Sequence, residues 1–86
     1  MYQIKFSSKA KKFIAKRTPK EQVRLIEIFE TLQADPYNNN LDIKPMKGTK
    51  ANDWRLRFGK YRFLYEVVDN ELFIYVNDGD SRGGIY

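Results

Sequence analysis

Four cations, Arg55, Arg57, Lys60 and Arg62, fall within eight positions of the stretch DWRLRFGKYRFLYEVV. The chain contains no Cys and no His, which excludes disulfides, thiolate or imidazole metal sites, and every nucleophile–imidazole arrangement. The proton carriers left are Tyr, Lys and carboxylates. Cleavage of RNA is compatible with so short an inventory, because the substrate's own 2′-hydroxyl is the nucleophile. The protein then supplies positioning, charge stabilisation and proton transfer. Planar guanidinium groups suit the first two tasks, gripping a phosphate through two parallel N–H bonds and neutralising the charge that grows on it. Arg82, in the ending GDSRGGIY, is a further candidate, and nearby cations would make the hydroxyl of Tyr86 more acidic. A solvated loop cation and an aromatic packed on the sheet are the plainer readings of Arg82 and Tyr86. The reading calls for no cofactor and no metal.

These residues need a sheet to gather them. If Gly59-Lys60 is a two-residue turn, Phe58 stands opposite Tyr61, Leu56 opposite Phe63 and Trp54 opposite Tyr65. If Asp69-Asn70 is the next turn, Val67 faces Leu72, Tyr65 faces Ile74 and Phe63 faces Val76, all on the same apolar side. Alternation then sends Arg55, Arg57 and Arg62 to the other face, with Arg57 across from Arg62, whose second neighbour is Asn77, and Arg55 beside Leu64. Like charges so placed oppose folding by about 0.2–1 kcal/mol, and a phosphate between them would relieve the repulsion. The plainer alternative is a solvated face loosely balanced by Glu66 and Asp78.

Before the sheet, residues 2 to 6 alternate and read as a short strand. Ser7 or Ser8 can cap a first helix through AKKFIAKR, and the cations around it, Lys9, Lys11, Lys12, Lys16 and Arg17, read as a solvated face. Thr18, Pro19 and Glu21 make a helix start signal. In the second helix Val23, Ile26, Phe29 and Leu32 recur at spacing three, flanked by Leu25 and Ile28, until Asp35-Pro36 ends it. Residues 36 to 52 read as a loop bearing Lys44, Lys47 and Lys50, a general electrostatic rim. With Lys60 they are the candidate substrate-binding cations. The three glycines of GDSRGGIY predict an irregular tail.

The expected architecture is therefore α+β: an N-terminal strand, two helices, then a three-stranded antiparallel meander, with the helices packed on one sheet face. At 86 residues a single domain over 1–86 is expected, since the chain cannot build two cores. Sixteen Lys and Arg against eleven Asp and Glu leave a formal charge of +5, a surplus that favours polyanionic partners. No apolar run approaches a membrane span, and MYQIKF lacks the apolar region of a signal peptide, so a cytoplasmic protein is expected.

The order strand, two helices, meander, together with the pairs in WRLRFGKYRFLYEV and the ending GDSRGGIY, which is similar to the family's Gly-x-Arg…Tyr tail, resembles the RelE/ParE superfamily of bacterial toxins, in particular its RelE-like branch. That resemblance implies the toxin of a type II toxin-antitoxin pair that enters the ribosomal A site and cuts mRNA. It would use Arg55 and Arg57 on the first meander strand, Arg62 on the second, and Arg82 and Tyr86 at the end. The best-known member carries lysines where Arg55 and Arg57 stand. An arginine keeps its proton at ordinary pH, which leaves Tyr86 as the main candidate base and gives Arg82 an electrostatic part at the leaving oxygen. The resemblance also implies a cognate antitoxin and contact with operator DNA only through it. The alternative within the superfamily is a ParE-like inhibitor of DNA gyrase without nuclease activity.

Overall fold

The structure, a computed structural model, describes residues 1–48 and 52–81. The elements in chain order are β1 (Gln3–Phe6), α1 (Ser8–Ala15), α2 (Pro19–Ala34), β2 (Ile43–Pro45), β3 (Asp53–Phe58), β4 (Tyr61–Val68) and β5 (Phe73–Ser81). One five-stranded sheet runs β1-β5-β4-β3-β2, with β1 parallel to β5 and the other pairs antiparallel. The α+β class, the strand-helix-helix order and the central meander are as expected. Strand β2 is an addition, since Ile43–Pro45 pairs with β3 within a stretch expected to be loop. With only three residues and a proline, it carries too little pattern to be legible.

Both helices begin as their capping residues dictate. Ser7 accepts from the Ala10 N–H and caps α1. Thr18 and Glu21 exchange the two bonds of a capping box, with Pro19 at the first position of α2. Leu25, Phe29 and Leu32 form the buried stripe of α2, whereas Val23 and Ile26 are exposed at 60% and 58%. Three residues cover about 300° of helix, so a spacing-three run slips about 60° per step and Val23 ends on the side opposite Leu32. The stripe that reaches the sheet follows spacing four and three instead.

The core lies between the helices and one sheet face, where Leu56, Phe63, Tyr65, Val67, Ile74 and Val76 are buried. Edge-to-face rings knit the layers: Phe29 on Phe63 at 5.4 Å, Phe13 on Phe63 at 5.6 Å and Phe6 on Phe29 at 5.0 Å. The buried Tyr65 hydroxyl donates to the Pro36 carbonyl at 2.9 Å, so the ring's polar end is satisfied.

The β3–β4 register is as the Gly59-Lys60 turn requires, with Gly59 at φ 57°. The β4–β5 register is not. A 3₁₀ turn over Asp69–Glu71, closed by Leu72 in the left-handed conformation, replaces the two-residue turn, so Val67 faces Ile74 and Tyr65 faces Val76. A tight hairpin turn needs positive φ at its first central residue or at both, which Asp-Asn supplies less readily than a glycine-bearing pair such as Gly59-Lys60. The slip is two residues, an even number, so each side chain keeps its expected face. One extra residue is then taken up opposite Leu64, where the partners jump from Val76 to Asp78. The Asn77 carbonyl there accepts from the Ser7 hydroxyl at 2.7 Å, tying the bulge to the start of α1. Beyond it β5 continues through Gly79 and Asp80 to Ser81, where an irregular tail was expected. No helix of the described residues is long and apolar enough to cross a membrane.

Candidate nucleic-acid interface

Arg57 and Arg62 stand directly opposite one another on the face away from the helices, with Arg55 two positions along and Lys44 opposite Arg55 on β2. Met46 N–H donates to Asp53 and Arg57 N–H to Asp42, so the odd positions of β3 bond toward β2. Arg57 and Arg62 are therefore a pair without mutual backbone bonds, the class in which Cα atoms approach to about 4.5 Å and side chains lie closest.

Their surroundings differ. Arg57 is exposed, and no carboxylate pairs with it among the described residues. Arg62 holds Asp80 in a two-pronged contact, Nε donating to Oδ1 at 3.3 Å and Nη2 to Oδ2 at 2.8 Å. Arg55 is the most covered of the three, its side chain 17% exposed, with Nη2 3.6 Å from Asp42 Oδ1. Its Nε is buried with no hydrogen-bond partner among the described residues. Such an orphan donor is costly unless an acceptor reaches it. Beside it lies a depression of about 290 Å³ lined by Lys44, Pro45, Met46, Lys47 and Arg55. Lys60 is exposed at the β3–β4 turn, 5.8 Å from the Tyr61 ring. Lys50, Arg82 and Tyr86 lie outside the described residues.

The expected counterions are thus replaced. Asp80, rather than Asn77, is the neighbour of Arg62 on β5, because the turn slip and the bulge together advance the register by three residues. Glu66 sits opposite Asp53. Asp78 takes Lys9 at 3.3 Å and accepts from the Gly79 N–H at 2.7 Å. Neither turn nor bulge leaves a periodic signal, so only the length of GDS beyond Val76 could have hinted at Asp80. Two aromatics also belong to this face: Phe73 and Tyr75 alternate with the buried Ile74 and Val76 and stack at 5.5 Å. Lys5 stands over Phe73 at 5.2 Å.

The basic helix is as exposed as expected at Lys11, Lys12 and Lys16. Arg17 departs from that reading: its guanidinium covers the Phe13 ring at 4.2 Å and the Tyr61 ring at 4.4 Å. Between α1 and α2 an apolar groove of about 450 Å³ is floored by Phe6, Ile14, Leu25 and Phe29, with Ile26 and Lys11 on its walls.

A separate polar cluster closes the far end of the sheet. Asp69 accepts from the Tyr2 hydroxyl at 2.6 Å and the Tyr37 hydroxyl at 2.7 Å, and Asn52 donates to Tyr37 and accepts from the Trp54 indole. The two hydroxyl donors hold the Asp69 carboxyl below its usual range, while its acceptance of the Tyr2 proton pushes that phenol up to about 12. Burial, then Asp69, raises Tyr37. The backbone N–H of Thr18, first, keeps Glu21 low. All of these act on stability, away from the arginines.

No family model matches the chain. Toxin RelG of Mycobacterium tuberculosis is 27% identical over 86 residues, spanning 99% of this chain and 95% of the relative. Among solved structures, the archaeal RelE-RelB complex from Pyrococcus horikoshii superposes with a TM-score of 0.84 at 24% identity, over 95% of this chain and 96% of that one. The RelB-RelE antitoxin-toxin complex from Methanococcus jannaschii gives a TM-score of 0.74 at 29% identity, over 94% and 93%. In sequence and in fold, the chain is similar to RelE-like toxins.

Proposed function

We propose that this toxin is a ribosome-dependent mRNA endonuclease whose outer sheet face grips the message, held in check by a cognate antitoxin. The observation that carries the reading is the facing of Arg57 and Arg62 across β3 and β4, with Arg55, Lys44 and Lys47 extending the cationic run. Cations so placed repel one another until an anion lies between them. The two guanidiniums suit the scissile phosphate, and a neighbouring phosphate would give the orphan Nε of Arg55 an acceptor. Lys44, Lys47, Lys50 and Lys60 would carry flanking phosphates.

In this mechanism the 2′-hydroxyl of the message attacks the adjacent phosphorus and the 5′-oxygen leaves. Arg57 and Arg62 bear the charge that develops on the phosphoryl oxygens. Ser81 pairs with Tyr61, next to Arg62. Arg82 is assigned to the leaving oxygen and Tyr86 to proton removal from the 2′-hydroxyl. The ribosomal A site supplies the aligned message. The antitoxin would cover the cationic face or enter the apolar groove between α1 and α2, and operator DNA would be met only through it.

One observation favours the alternative, a ParE-like inhibitor of DNA gyrase that cleaves nothing: Arg62 and Arg55 are already engaged by carboxylates of their own chain. Induction in cells, followed by primer extension on translated and untranslated copies of one mRNA, separates the two. Cleavage of the translated copy alone, lost in Arg57→Ala with antitoxin binding retained, is expected. Cleavage of both copies would refute ribosome dependence. Intact mRNA with gyrase-poisoned DNA would establish the alternative.

A further inference from the structure

We propose, building on the phosphate-binding role just given to this face, that Asp80 is an affinity-setting residue: its carboxylate occupies the phosphate position on Arg62 and must be displaced by the RNA backbone. The geometry is that of a bound oxyanion. Two carboxylate oxygens meet Nε and Nη2 of one guanidinium at 3.3 and 2.8 Å, the same fork-to-fork pairing a phosphate would use. Asp80 is placed there by the backbone: the extra residue opposite Leu64 aligns it with Arg62 on the outer face, while Gly79 turns inward onto Phe63. The Asp80 side chain remains 38% exposed and Arg62 25%, so water and ligand reach the pair. Arg57, directly across the strands, has no such occupant among the described residues.

The two cations thus play unequal parts. Arg57 offers an open contact to any phosphate that arrives. Arg62 joins only when that phosphate outcompetes the carboxylate, which lowers the affinity for stray RNA and reserves the full two-arginine grip for a strand held in place by something else. The ion pair also holds the guanidinium in the plane in which the phosphate will later need it.

The test uses the full-length protein and a fluorescent single-stranded RNA oligonucleotide with 2′-O-methyl sugars, which binds without being cleaved. Anisotropy titrations over a salt series compare wild type, Asp80→Asn, Arg57→Ala, Arg62→Ala and the double variant Asp80→Asn/Arg62→Ala. Asp80→Asn is expected to tighten binding about threefold to tenfold, with a steeper salt dependence by up to about one ion. In the Arg62→Ala background the same change should gain less than about twofold, since only the general charge remains. Asp80→Glu should restore wild-type affinity, which a purely structural role for the isosteric amide would not produce. Equal or weaker binding by Asp80→Asn, or an equal gain in both backgrounds, overturns the proposal. If Arg57→Ala weakens binding while Asp80→Asn changes nothing, the competition alone is wrong. If neither arginine variant weakens binding, the nucleic-acid reading of the face falls, and this inference with it.

Discussion

Gly79 is the tightest point of the core, and replacing it with Ala gives a magnitude that can be worked out in advance. The residue lies within β5, opposite Phe63, in a backbone conformation any residue adopts. A Cβ there would come to 2.8 Å from Phe63 Cε1, 2.9 Å from Phe13 Cδ2 and 3.0 Å from Phe63 Cδ1. Both rings are stiff and fixed by edge contacts, Phe63 to Phe29 and Phe13, and Phe13 to Tyr61. Neither can retreat without moving another, so overpacking of about 1–3 kcal/mol applies. Against it stands the entropy that Ala removes from the unfolded chain, about 0.4–1 kcal/mol. The strain wins, leaving a net loss of about 1–2 kcal/mol. In urea unfolding, where a small domain shows an m value of about 1–3 kcal/mol/M, the midpoint should fall by about 0.5–1.5 M with the slope unchanged. Adding Phe63→Leu to Gly79→Ala should cost less than Phe63→Leu does in the wild type, because the space is now used. A Gly79→Ala midpoint equal to or above that of wild type would refute this account of the packing.

Two further expectations concern stability. The Asp69 carboxyl is held low by Tyr2 and Tyr37, so its contribution is present above the ordinary carboxylate pKa of about 3.9 and lost as pH falls through the lower folded value. The Tyr2 phenol is raised to about 12, so its contribution is complete below the ordinary value of about 10 and lost as pH rises through about 12. Urea midpoints across pH should therefore fall at both extremes more steeply in wild type than in Asp69→Asn, and parallel curves would contradict the cluster's role. Thr18→Ala removes the oxygen that accepts from the Glu21 N–H and half of the capping box, and should lower stability by about 0.5–2 kcal/mol in the same assay.

The parts of the fold that could be read ahead are those where one chemical pattern repeats. Alternation from Trp54 to Val67 located both faces of the meander, and the Gly59 turn fixed its first register, because a single-residue error there would have buried charge. The capping residues Thr18 and Glu21 marked the start of α2 for the same reason: their chemistry has few other uses. What escaped were features set by tertiary partners. The β4–β5 turn follows Asp69 being claimed by two tyrosines distant in sequence. The short strand β2 exists only because the edge of β3 offers bonds. Within the candidate site, the positions of Arg55, Arg57 and Arg62 were legible from alternation alone, but their ion pairs were not. Asp42 reaches Arg55 from an irregular loop, and Asp80 reaches Arg62 only after two changes of register.

The one-residue register shift opposite Leu64 carries a consequence for how this strand tolerates change in length. Removing Asn77 would leave a regular ladder in which Gly79 still meets Phe63 and Asp80 still meets Arg62, whereas losing a single residue at Tyr75 would push the carboxylate-bearing half of the strand out of phase with the apolar half. The molecule has a slack link at that point. Relatives that differ there by one residue should keep the same partners across the sheet, while a one-residue change elsewhere in β5 would exchange interior for exterior.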